Sequence, residues 1–79
     1  MSIFEQVREI LTEGLAVQAS IVKPESELSK DLGADSIDAM EILSVLEEKF
    51  EIVLSEEEAG SVKTVSDLVE LITKKTIKN

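Results

Sequence analysis

Apolar residues recur at helical spacing in three blocks, and a long stretch with no period separates the first from the second. In the first block Ile3, Val7, Ile10, Leu11 and Leu15 form one stripe, the pattern of a helix with a single buried face. Ser2 and Glu5 stand at its head with the spacing of a capping box, in which each side chain bonds the other residue's backbone N–H. The predicted helix runs from residue 2 to residue 16, weakened near its end by Gly14. In the second block Ile37, Met40, Leu43, Leu46 and Phe50 are flanked by Ala39, Ile42 and Val45. A stripe that wide predicts packing against more than one neighbour. Asp35 or Ser36 can cap this helix. The last block turns Val65, Leu68, Val69, Leu71 and Ile72 inward, with Thr64 or Ser66 as its cap. Lys74 and Lys75 sit at its C-terminal end, where cations offset the helix dipole.

Between the second and last blocks, Ser55 and Glu58 make another capping box, and Gly60 follows. They predict a short helix. Residues 18–34 carry Pro24, Ser26, Ser29 and Gly33 and no sustained period. They predict a long ordered loop pinned to the core by Leu28 and Leu32, and loops of this length in small domains are often functional. The expected fold is all-α: a four-helix bundle of three longer helices and one short one, with a long first connection. One domain over residues 1–79 is expected.

The chemistry available is narrow. The chain has no Cys and no His, so it has no thiol, no disulfide and no imidazole base. Phe4 and Phe50 are the only aromatic residues, so the core must be aliphatic. The formal net charge is −9, which disfavours nucleic acid and anionic membranes and steers the protein toward basic partners. The charge is concentrated: residues 31–58 hold ten acids and one base, Lys49, which accounts for the whole imbalance. On patterning alone that is a solvated helix face. No apolar run approaches a membrane span, and the first residues lack the basic and apolar segments of a signal peptide. A cytoplasmic monomer is expected, without a metal site.

The segment Asp31-Leu32-Gly33-Ala34-Asp35-Ser36-Ile37-Asp38 stands where the long loop meets the second helix. An Asp-Ser pair at a helix start is first of all a cap. As a hydrolase nucleophile Ser36 would need a base, and Lys30 is a poor candidate, so no catalytic residue is expected. A helix start does suit a phosphate ester, because free N–H groups and the positive end of the dipole point at it. Asp35 and Asp38 would repel that phosphate.

That segment closely resembles the phosphopantetheine attachment motif of acyl carrier proteins. The resemblance continues through Glu41, through Leu46-Glu47-Glu48-Lys49-Phe50-Glu51-Ile52, through Leu54-Ser55-Glu56-Glu57-Glu58-Ala59 and on to Lys63-Thr64-Val65-Ser66-Asp67, nearly the whole chain. It implies that Ser36 bears a phosphopantetheine arm, delivered from coenzyme A, whose thiol carries acyl groups as thioesters. It implies that Asp35, Ile37, Asp38, Met40, Glu41, Glu47 and Glu48 meet partners: the phosphopantetheinyl transferase, and fatty acid synthesis enzymes and acyltransferases with basic patches. It implies that Leu46, Leu54, Ala59 and Val62 line the space where acyl chains shelter. Ile37 stands where the family usually has Leu, and Met40 where Val is common. Val53 and Ser55 stand where fatty-acid members often have a charged residue and Pro. The pathway is therefore less well specified than the carrier role.

The expected function is a free-standing carrier of growing acyl chains in fatty acid biosynthesis, not an enzyme. A carrier for polyketide, aminoacyl or D-alanyl transfer would use the same serine. A calcium-binding half EF-hand is a different reading, and it fails: counted from Asp31, Gly33 stands third and Ser36 sixth, whereas the calcium loop needs its glycine sixth.

Overall fold

Capping residues set where the helices begin. The computed structural model describes residues 2–76 and contains α1 (Ile3–Leu15), α2 (Ser36–Phe50), α3 (Glu56–Gly60) and α4 (Val65–Thr76), with a 3₁₀ turn at Ala19–Ile21. Ser2 Oγ accepts the Glu5 N–H and the Glu5 carboxylate accepts the Ser2 N–H, each at 3.1 Å. That second bond, with the Ser2 hydroxyl, holds the Glu5 carboxyl below its ordinary pKa. Ser55 and Glu58 make the same reciprocal pair at the head of α3, at 3.1 and 3.0 Å. Thr64, not Ser66, caps α4: its Oγ1 accepts the Asp67 N–H, and Asp67 Oδ2 accepts the N–H groups of Thr64 and Lys63. Those bonds lower the Asp67 pKa, Thr64 first.

The core consists of Val7 and Leu11 from α1, Val22 and Leu32 from the first connection, Ile42 and Leu46 from α2, and Val65, Leu68 and Ile72 from α4. α1 is the central element and contacts α2, α4 and the 3₁₀ turn. Gly14 lies within α1, near its end. The helix passes through it and stops when Ala16 turns left-handed at φ 54°, its N–H bonded to Thr12 O. The role of Gly14 is close approach: a Cβ there would lie 3.2 Å from Ile42 Cγ1 on α2.

The structure narrows the inward stripe of α2. Ile37 and Met40 belong to the sequence's apolar stripe, yet they are 68% and 69% exposed, and Val45 is 49% exposed. The rest of the stripe points inward: Leu46 is buried, with Leu43 and Phe50 packed beside it, and Ile42 from the flank is buried with them. In a helix flanked by apolar residues on several sides, the buried face is chosen by its neighbours, here α1 at Gly14.

The first connection is more structured than a loop. Leu32 is buried as expected and Leu28 packs half-buried on the core, but Val22 and Ser26 are buried too. Ser26 Oγ donates to Ile21 O and accepts the Lys23 N–H, which satisfies a buried hydroxyl. The connection then pairs with the link between α3 and α4. Leu28 N–H donates to Lys63 O, Val65 N–H to Ser26 O and Ser66 N–H to Pro24 O, at 2.8–3.0 Å. Gly33, at φ 72°, makes the left-handed bend that glycine adopts without strain, and that bend delivers Asp35 to the cap of α2.

Candidate functional site

α2 starts differently from α1 and α3. Its cap is Asp35, whose Oδ1 accepts the Asp38 N–H at 2.8 Å, while Asp38 Oδ2 accepts the Asp35 N–H at 3.3 Å. At Ser2 and Ser55 the serine itself is the cap and its hydroxyl is engaged. Ser36 is the first residue of α2, is exposed, and its Oγ has no hydrogen-bond partner among the described residues. The first N–H groups of a helix have no acceptor within it. Asp35 takes that of Asp38, and those of Ser36 and Ile37 have no acceptor among the described residues. An exposed hydroxyl with two free N–H groups beside it at a helix start fits a phosphate ester. The two carboxylates beside it oppose one.

Ser36 also lies at the edge of a cavity of about 510 Å³, open to solvent on one side. Its apolar wall comes from every helix: Leu11 of α1, Ala39, Ile42 and Leu43 of α2, Ala59 of α3 and Leu68 of α4, with Leu28, Ala34 and Val62 from the connections. Glu27, Lys63, Ser29 and Asp35 supply polar groups. A mostly apolar cavity of this size with a few polar groups is the usual form of a small-molecule pocket.

The structure brings some of the sequence's site residues together and separates others. Ala59 and Val62 line the cavity; Leu46 and Leu54 do not. Leu46 is fully buried in the core. Leu54 is half-buried, and its N–H is held by the Glu47 carboxylate at 2.8 Å. Glu47 is thus committed within the fold, as a strap between α2 and the segment leading to α3. Asp35, Ile37, Met40, Glu41 and Glu48 are exposed, and Asp38 is half-buried. The cavity residues that sequence reasoning missed include Ala39 and Leu43. Counting from Ser36 at helical spacing would have found both.

α3 forms part of the cavity wall and is tied to α4 by one ion pair. Glu58 Oε2 lies 2.8 Å from Lys75 Nζ. That bond, followed by the one from Ser55, pulls the Glu58 pKa from 4.5 to about 2. Among the described residues no helix is long and apolar enough to cross a membrane, and no carboxylate cluster could hold a metal ion.

The chain matches the phosphopantetheine attachment site family over residues 5–72. It is 49% identical over 72 residues to the acyl carrier protein of Helicobacter hepaticus, covering 91% of this chain and 95% of that one. The chain belongs to the acyl carrier protein family. Its identity to the acyl carrier protein of Campylobacter concisus is 43% over 74 residues, covering 94% of this chain and 96% of the other. The solved acyl carrier protein of Enterococcus faecalis superposes with a TM-score of 0.79 at 29% identity, covering 95% of this chain and 99% of that one. The four-helix arrangement is therefore that of an acyl carrier protein, and the group such a domain carries is phosphopantetheine.

Proposed function

We propose that the chain is a free-standing acyl carrier of fatty acid synthesis, working in the cytoplasm, with its phosphopantetheine arm esterified to Ser36. One observation carries the assignment to Ser36. Asp35 takes over the capping role, so the serine hydroxyl at the head of α2 stays free, exposed and at the cavity edge. When bound, the arm supplies a thiol that holds acyl groups as thioesters, the sulfur chemistry this cysteine-free chain lacks.

The chain's own residues do the rest. Ser36 Oγ would provide the ester oxygen, and the free N–H groups of Ser36 and Ile37 at the positive end of α2 would be available to its phosphate. Asp35 and Asp38 repel it, so the transferase must bring a divalent cation or basic side chains to the same spot. The acids that disfavour the ester thus serve as the mark a basic enzyme reads. Exposed Ile37 and Met40 stand beside Asp35, Asp38, Glu41 and Glu48 in the same helix region, and together they offer apolar contact and steering charge to basic partners.

The cavity favours a fatty acyl cargo over an aminoacyl or D-alanyl one. An aminoacyl or D-alanyl group has little alkyl surface and would leave the wall of Ala39, Leu43, Ala59 and Val62 unused. An alkyl chain gains about 0.8 kcal/mol for each methylene it buries there. The test is an intact mass spectrum before and after incubation with coenzyme A and a phosphopantetheinyl transferase. The wild-type chain should gain one phosphopantetheine, and Ser36→Ala should gain none; labelling that persists in the variant overturns the assignment.

A further inference from the structure

The cavity beside Ser36 is graded from mouth to back. Ser29, Asp35 and Ser36 at one end are exposed, and Leu11, Ile42 and Leu68 at the other are buried in the core. Ile42 lies six residues on from Ser36 along α2, about 9 Å along the helix axis. An alkyl chain that enters at Ser36 therefore meets Ile42 after running the length of the wall. Behind Ile42 the space continues. A smaller groove of about 270 Å³ lies between α1 and α2, lined by Ile10, Glu13, Gly14, Glu41, Ile42 and Val45. Among the described residues, Ile42 is the one lining residue that cavity and groove share, so its side chain is the partition between them.

Gly14 shows how the partition is seated. A Cβ there would lie 3.2 Å from Ile42 Cγ1 and 3.6 Å from Ile42 Cδ1. The long branch of Ile42 thus occupies space that any side chain at residue 14 would contest. Without a side chain at Gly14, Ile42 can sit toward α1 and leave the cavity its full depth. The groove behind it has the volume of about nine waters, enough for several methylenes, and Ile10, Ile42 and Val45 give it an apolar surface.

We propose that Ile42, seated over Gly14, is the end stop of the cavity and sets the longest acyl chain that the carrier shelters. This rests on the reading of the cavity as the shelter for the cargo. Each carbon short of Ile42 gains burial against the wall. Carbons beyond it gain none, because the partition withholds the groove.

The test uses the full chain with its arm loaded from acyl coenzyme A, with acyl groups of every length from acetyl to hexadecanoyl, and reads Tm by calorimetry. In the wild type Tm should rise with length and level off where the chain meets Ile42. Ile42→Ala deletes three side-chain carbons and opens the partition, so the levelling point should move out by about three carbons or more. Gly14→Ala adds one carbon that pushes Ile42 toward the cavity, so the point should move in by about one carbon. Alanine also favours the helix, so this variant decides the matter even if Ile42→Ala does not fold. Ile42→Leu, which restores the volume, should restore the wild-type limit. Nuclear Overhauser contacts locate the chain end directly: the terminal methyl of a dodecanoyl group should touch Ile10 and Val45 in Ile42→Ala and neither in the wild type. A levelling point shared by the wild type and both alanine variants, or a wild-type terminal methyl in contact with Val45, overturns the end stop alone. A wild-type Tm that does not rise from acetyl to octanoyl overturns the reading of the cavity itself, and the stop with it.

Discussion

Loading the carrier with an octanoyl group should stabilise its fold, and the cavity sets by how much. The wall of Leu28, Ala39, Leu43, Ala59 and Val62 is available to the alkyl chain only when α2, α3 and the first connection are in place. Unfolding returns the chain to water. An octanoyl chain has about seven carbons beyond its carbonyl, and about half of them lying against this wall is enough to be measured. At about 0.8 kcal/mol per methylene, that favours the folded state by roughly 3 kcal/mol. For a domain of this size each kcal/mol moves Tm by about 4–8 °C, so the octanoyl form should melt roughly 12–24 °C above the form with the bare arm. Calorimetry on the two forms measures this, with the acetyl form as control. The acetyl group has a single methyl to bury and should shift Tm little. An octanoyl form that melts with the acetyl form would refute the reasoning, because it would place the alkyl chain in solvent.

Lys75→Met should raise the Glu58 titration midpoint from about 2 toward its ordinary 4.5, because the Lys75 contact is the first cause of the depression. A midpoint that stays put, read from the side-chain carboxyl resonance, would assign the whole shift to the Ser55 cap. The folded pKa lies below the unfolded one, so the Glu58 contribution is complete above about 4.5 and disappears as pH falls toward 2. Protection of α3 amides, corrected for intrinsic exchange, should drop across that window in the wild type. Leu46→Ala, at a fully buried position, should cost about 2–5 kcal/mol in urea unfolding; a loss well under 1 kcal/mol would mean that the site collapses around the gap. Added salt should raise Tm, because residues 31–58 hold ten acids against one base; an unchanged Tm in molar salt would show that self-repulsion is negligible.

What is legible in the sequence is local. The boxes at Ser2–Glu5 and Ser55–Glu58 are each complete within four residues, and both helices start where those boxes place them. The carrier motif is also contiguous, so Ser36 stands out from the sequence alone. What depends on distant neighbours is not legible. Ile37, Met40 and Val45 match the inward pattern of α2 but face solvent. Ile42, from the flank of the stripe, faces Gly14 of α1, and no period in α2 encodes that glycine. Val22 and Ser26 are buried within an aperiodic stretch, where periodicity has nothing to report. The cavity wall divides for the same reason. Ala59 and Val62 are part of it, while Leu46 lies behind it in the core and Leu54 is held by Glu47. By residue type Asp35 and Ser36 are equal candidates for the cap, and only the geometry assigns that role to Asp35 and frees the serine.

Fragment mapping of the loaded protein tests the central claim most directly. The chain has nine serines, and several others are exposed, Ser29 at the same cavity among them. After incubation with coenzyme A and the transferase, proteolysis and tandem mass spectrometry should place the phosphopantetheine mass on Ser36 alone, with Ser29 and Ser44 unmodified. The arm found on Ser29, or on any serine other than Ser36, would contradict an account in which Asp35 caps the helix and leaves Ser36 free to carry it.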